Sequence, residues 1–453
     1  LDNLTSVGGD LRIKHNDALV TLDAFPNLTE VGQSLELQSN SGLKSVAGFP
    51  VLSQVGIDLG ISDNALLDRI EGFPSLEGVG GKLWFIRDPM LTHLGGFEKL
   101  VQVGGDFMIQ ENDILTTIEG FSELMDVGGE FWICKNTALP DVDAFTALKW
   151  VGGLLYITES GLLNLDGLSN LETVDGNVFV GWSTELKNLD GLASLESVGQ
   201  DLWINNNPLL ENVDGLSKIS TVGGYVHIQG NPVLQNLDGL SALETVGTHF
   251  FIENNVALQQ VDGLTNLVSI GDYLYVEFND SLVSLKGFSG LTTLGGHLYV
   301  ETNESLAEIG GLQNLVGLNG YLNIVNNPSL KDLASLSNLT SVESYVNLAS
   351  NETLVNLDGL QNLISIKGYL EIKANAGLES LNGLGKLAAV GSDLVVEENL
   401  ELSDISALSA LKTVSGDMRV LGNTALCTEH VEEIGAGIVV EGETKFENNG
   451  SCP

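Results

Sequence analysis

The chain is 453 residues long and carries 60 acidic against 19 basic residues, a net charge of −41. That balance excludes nucleic acid and anionic membrane as partners. No apolar run approaches the roughly 18 residues of a membrane-spanning helix, so membrane insertion is excluded as well.

The chain starts at Leu1 without a signal peptide, which is expected of a mature or trimmed product. Leu1 falls in mid-coil by the repeat described next, so the first coil is expected to need a cover from upstream sequence, another domain or another subunit. The phrase VGGDLRIKHNDAL occupies residues 7–19 and returns as VGGDFMIQENDIL at 103–115. Copies start at Val7, Val31, Val55, Val79, Val103, Val127 and Val151, 24 residues apart. One residue is then lost between Ile157 and Leu165, and the spacing resumes at Val174 and runs to Val414. Eighteen copies at a fixed period are the mark of a solenoid.

Within the first copy the apolar positions are Val7, Leu11, Ile13, Leu19, Leu22, Phe25 and Leu28. The interval of two across Leu11-Arg12-Ile13 predicts a strand with both apolar side chains on one face. Gly8-Gly9 and the later D-G-L corners interrupt any helical period. Burying seven such side chains is worth roughly 2 kcal/mol each, while ordering 24 residues costs at least about 1 kcal/mol apiece. A single coil therefore cannot fold alone, and coils must stack into parallel sheets over a shared core.

An asparagine recurs from Asn16, Asn40 and Asn64 to Asn399 and Asn423. Its amide is expected to point inward and bond the backbone of its own and the next coil. Aspartates stack at the D-G corner, among them Asp190, Asp214, Asp238 and Asp262, and Glu253, Glu277 and Glu301 form a second acidic column. Like charges at this spacing repel, and Ca²⁺ would relieve that. The plainer reading, and the preferred one, has each Asp bonding its own turn backbone before Gly.

The outward strand positions carry a column of large side chains: Trp84, Met108, Trp132, Tyr156, Phe179, Trp203, His227, Phe251, Tyr275 and Tyr299. Beside it run Tyr225, His249, Tyr273, His297, Tyr321, Tyr345 and Tyr369. Such rings stabilise a sheet by cross-strand stacking. A band of this length also exceeds what a monomer leaves in water, which points to an extracellular glycan, a partner protein or a second copy as its cover. Catalytic signatures such as G-x-S-x-G or H-E-x-x-H are missing from the chain, and basic residues that would serve acidic-polysaccharide cleavage are scarce, so no enzymatic role is expected.

Cys134 is expected on an outward strand position, either as a free thiol or in an intermolecular bridge. Sequons at Asn279, Asn303 and Asn351 fall in the inward asparagine column, whereas Asn3, Asn27, Asn338 and Asn449 are candidate glycosylation sites in a eukaryotic host. After Leu426 the period stops. The tail predicts a short helix and a returning strand bracketed by a Cys427–Cys452 disulfide, which implies an oxidising compartment.

Repeats such as LETVGTHFFIENNVALQQVDGL, residues 243–264, resemble the receptor L-domain family of leucine-rich-repeat-like right-handed β-helices, which includes fungal cell-wall glycoproteins and bacterial secreted proteins. The resemblance covers residues 1–426 and implies an all-β, right-handed parallel β-helix of about eighteen coils, followed by the cap at 427–453. It does not choose among the receptors, wall proteins and other members of the family. The expected function is that of a secreted or cell-surface, non-catalytic repeat protein that binds, adheres or assembles through the aromatic band; no cofactor is expected, and Ca²⁺ at the stacked aspartates is the one candidate. A polysaccharide-binding or polysaccharide-degrading β-helix is the alternative.

Overall fold

The computed structural model describes residues 1–452 and shows a nearly all-β solenoid of parallel, stacked coils with the expected 24-residue period. The chain divides into two compact units, Leu1–Gly223 and Gly224 onward.

In the first unit every coil contributes one four-residue strand, from Leu11–Lys14 to Leu202–Asn205. These strands pair in parallel with like residue on like residue: Leu35 faces Leu59, and Phe107 faces Phe131. Alternate residues turn inward, so Leu35 and Leu37 are fully buried while Glu36 and Gln38 are half-exposed. A second parallel sheet is built from two-residue strands such as Gln54–Val55 and Gly78–Val79. One coil then buries Leu35, Leu37, Leu43, Val46, Phe49, Leu52 and Val55, each at most 1% exposed. These are the seven apolar positions read from the repeat.

The third side of the coil changes along the first unit. Short strands from Thr21–Leu22 to Thr117–Ile118 line it at first, above a buried stack of Phe25, Phe49, Phe73, Phe97, Phe121 and Phe145. Neighbouring rings in that stack lie 4.9 to 5.3 Å apart. From Asp143–Phe145 onward, 3₁₀ turns replace the strands. The residue two places before each turn explains the switch. Asn164, Asn188 and Asn212 present a side-chain oxygen that accepts the backbone N–H of Asp166, Asp190 and Asp214 at 3.0 to 3.1 Å. This corrects the expectation that each Asp would hold its own turn: the preceding Asn does so, as an Asx turn.

The second unit repeats the plan, with strands from Val226–Gln229 to Met418–Leu421 and 3₁₀ turns such as Asp238–Leu240. The tail forms the expected helix, Thr428–Gly435, and the disulfide Cys427–Cys452 closes it. Beyond the helix the expected strand returns, and with it the coil resumes. Thr444–Glu447 pairs in parallel with Met418–Leu421, and Asn449 takes the next place in the asparagine column.

That column is an inward ladder. Asn40 donates its backbone N–H to Asn64 Oδ1 at 3.0 Å and its amide to Ile13 O at 2.9 Å. The same pattern runs through the second unit from Asn255 to Asn423 with fully buried side chains. The residue before each rung adopts positive φ, from His15 at 57° to Asn448 at 57°, which swings the next side chain inward. In the first unit Asp88, Ser160 and Ser183 stand in for Asn.

Two surface expectations need correction. Cys134 is a free thiol, the first of its two expected readings, but though on the outward side of its strand it is only 3% exposed, and burial pushes its thiol up to about 12, so it is poorly placed for an intermolecular bridge. Asn449 is not a free tail residue. Its Oδ1 accepts from Asn423 and its Nδ2 donates to Val420 O, so this sequon belongs with the ladder ones. Asn3, Asn27 and Asn338 are exposed, and the amides of Asn27 and Asn338 each donate to a carbonyl of the preceding coil.

Candidate aromatic binding cleft

The outward strand positions divide the predicted band into two different arrangements, one in each unit.

In the second unit the rings cover one another. His249, Tyr273, His297, Tyr321, Tyr345 and Tyr369 stack in one run with centroids 3.8 to 4.6 Å apart and planes within 18°. Tyr225 joins at its start, tilted against His249 at 6.5 Å. The neighbouring column holds His227, Phe251, Tyr275 and Tyr299, and the Tyr275 and Tyr321 hydroxyls bond across at 2.9 Å. Stacking at the coil spacing uses up the flat faces and leaves edges to solvent, so these rings are half-buried rather than exposed as a strip. Burial pushes the Tyr345 hydroxyl up to about 12, and it pushes Tyr321 and Tyr299 upward too. Glu277, beside Tyr275, is raised by burial and then by Glu301 and Glu253.

In the first unit the rings tilt instead. Trp132 meets Tyr156 at 4.5 Å and 43°, and Tyr156 meets Phe179 at 5.1 Å and 36°. Trp132 Nε1 donates to Glu130 at 2.7 Å. Phe179 is 6% exposed because it leans over Gly181, where a Cβ would collide with its ring. On Phe179 lies Trp182, 5.4 Å away and 20° from parallel, and 48% exposed. Trp203 closes the other side at 5.3 Å. Together with Leu154 and Asn177 these rings line a cleft of about 280 Å³.

Trp182 was not among the predicted residues. It occupies the positive-φ corner before a ladder rung, with φ 48°, where the other coils of this unit carry polar or charged residues. A tryptophan in that place, one coil after the lost residue, was the available signal. Trp84 stands apart from the cleft, on an earlier strand of the same sheet.

The aspartates singled out for Ca²⁺, Asp190 and Asp214 in the first unit and Asp238 and Asp262 in the second, are exposed at their turns. Among the described residues the one group of three ligand-type side chains at coordinating distance is Cys427, Glu429 and Cys452, and its sulfurs are joined in the disulfide.

The fold and cleft define a repeat solenoid of leucine-rich coils with a small aromatic cleft on one sheet. No family model and no curated protein matches the chain. Thirteen chains of known structure match it. One belongs to the crystal structure of a TLR13–ssRNA13 complex, 15% identical, covering 94% of this chain and 75% of that chain with a TM-score of 0.25. A likeness at that score carries no argument about what this chain binds.

Proposed function

We propose that the chain is an extracellular, non-catalytic binding protein that holds a neutral glycan in the cleft of Tyr156, Phe179, Trp182 and Trp203. The observation that carries this reading is Trp182, whose indole is backed by Phe179 yet half open to solvent. A ring held flat from behind suits the apolar face of a sugar, while Asn177 adds a polar group that fixes orientation. No carboxylate or imidazole lines the cleft, which favours binding over bond cleavage. The net charge of −41 favours neutral over anionic sugars. The disulfide supports an oxidising location.

Assembly through the band loses support in the second unit, where the rings already cover one another. The test is titration of tryptophan fluorescence and heat with cellohexaose, laminarihexaose and chitohexaose, on wild type and Trp182→Ala. Saturable binding that Trp182→Ala abolishes supports the reading, and no response to any of the three sinks it.

A further inference from the structure

A second cleft opens on the same sheet of the first unit, nearer its start. Glu36, Gln38, Gly60, Ser62, Trp84, Ile86 and Arg87 line it, and its volume is about 270 Å³. Its floor comes from one missing side chain. Gly60 pairs directly with Trp84, and a Cβ on residue 60 would collide with the indole, so the indole lies over the glycine backbone. Among the described residues the run of ring contacts in this unit's outward column begins only at Trp132, so Trp84 stacks on no aromatic neighbour there, and its half-buried indole lines the cleft.

The charges around this indole are already matched. Glu36 is paired with Arg12 at 3.1 Å and with Lys14, and Arg87 with Asp63 at 2.8 Å. Gln38 donates to Asp63 at 3.3 Å, as the buried Ser62 hydroxyl also does, which leaves the Gln38 carbonyl oxygen as the group that can turn to a ligand. A half-buried indole lining a cleft among paired charges and a neutral amide suits an uncharged, hydroxyl-rich ring.

Trp84, Met108, Trp132, Tyr156 and Phe179 stand on successive paired strands, so four strand spacings separate the two clefts. At ~4.8 Å per spacing that is about 19 Å, a span that several linked pyranose rings would cover. Met108 and Trp132, between them, are half-buried.

Resting on the reading of the Trp182 cleft as a glycan site, we propose that Trp84 forms a second sugar subsite, and that the ligand is an extended neutral oligosaccharide running across the strands from Trp84 to Trp182. The two clefts act as the ends of one track. Binding at both ends makes the second contact intramolecular, so affinity rises with chain length until the span is filled.

The experiment compares disaccharides with hexasaccharides of the cello-, laminari- and chito- series by calorimetry, on wild type, Trp84→Ala and Gly60→Ser. Gly60→Ser keeps the tryptophan but lifts it off its floor, and circular dichroism checks that both variants fold. The expected result is hexasaccharide binding at least tenfold tighter than disaccharide binding in wild type. Both variants should lose that gain and keep the disaccharide affinity. Equal affinity for two and six rings in wild type, or a length dependence that survives Trp84→Ala, overturns the extended track while leaving the Trp182 cleft standing. Failure of every sugar to bind wild type overturns both.

Discussion

Asp88 Oδ1 accepts both the backbone N–H of Asn64, at 2.7 Å, and its side-chain amide, at 3.1 Å, as the Asn oxygens of the ladder do elsewhere. The mismatch is at the other oxygen. Asp88 Oδ2 is buried without a hydrogen-bond partner, at the place where a ladder Asn would put its donating Nδ2. A protonated carboxyl is the closest mimic of an amide here, and burial holds Asp88 up at about 7 against the two hydrogen bonds from Asn64, with Asp63 raising it slightly further and Arg87 opposing.

The first prediction follows from that raised value. In the unfolded chain Asp88 ionises near 3.8, so the cost of keeping it protonated, or of burying its charge, grows from that pH to about 7 and then stays constant. Asp88→Asn should therefore be more stable than wild type at pH 8 by up to about 4 kcal/mol, at 1.36 kcal/mol per unit. At pH 4 the gap should nearly vanish. Thermal melting of both proteins from pH 4 to 8 reads this directly, and parallel curves would refute it.

His297 should behave in the opposite sense. Its Nδ1 accepts the Tyr321 backbone N–H at 2.9 Å, and Gly320 leaves the room for it. Burial lowers its pKa below 6.5, with His249 adding to the effect and Asp272 opposing. The unfolded chain takes up the proton first, so stability from this group is present above pH 6.5 and lost as the pH falls below it. An NMR titration of the His297 ring should give a midpoint below 6.5, and a midpoint above it would contradict the acceptor role.

Much of the architecture was legible in the sequence because each coil repeats the same physical problem. The period, the inward asparagines, the lost residue, the terminal helix and the disulfide all leave a residue-type signature. The positive-φ corner left none, because its side chain points outward and Glu111, Lys135, Trp182 and Thr302 all occupy it. The change from strand to 3₁₀ turn at Asp143 depends on one side-chain oxygen two residues earlier, which a hydropathy pattern does not register. As for the candidate site, the aromatic column was visible but its meaning was not. Identical spacing gives covered faces when Tyr and His stack in the second unit and an open one where Phe179 leans over Gly181.

Thr302 offers a test of that hidden corner. It holds φ 53° although it is β-branched, a conformation that Asn tolerates far better. Thr302→Asn should raise stability by about 1 kcal/mol, measured as a shift in the urea midpoint at unchanged slope. No gain would mean that the coil relaxes the strain elsewhere.

The last prediction separates the two ring systems by function. Tyr321 is stacked on His297 at 3.8 Å and on Tyr345 at 4.6 Å, and bonds the Tyr275 hydroxyl. Two ring pairs at about 0.5–1.5 kcal/mol each and a hydrogen bond at about 1 kcal/mol make Tyr321→Leu cost roughly 2–4 kcal/mol. Because the faces lost were already covered, the substitution should leave hexasaccharide affinity unchanged. Trp182→Ala should do the reverse, since a half-exposed ring contributes little to folding but provides the open face a sugar requires. Melting and calorimetry on the two variants decide the matter: a Tyr321→Leu protein that melts normally but no longer binds would transfer the binding site to the second unit.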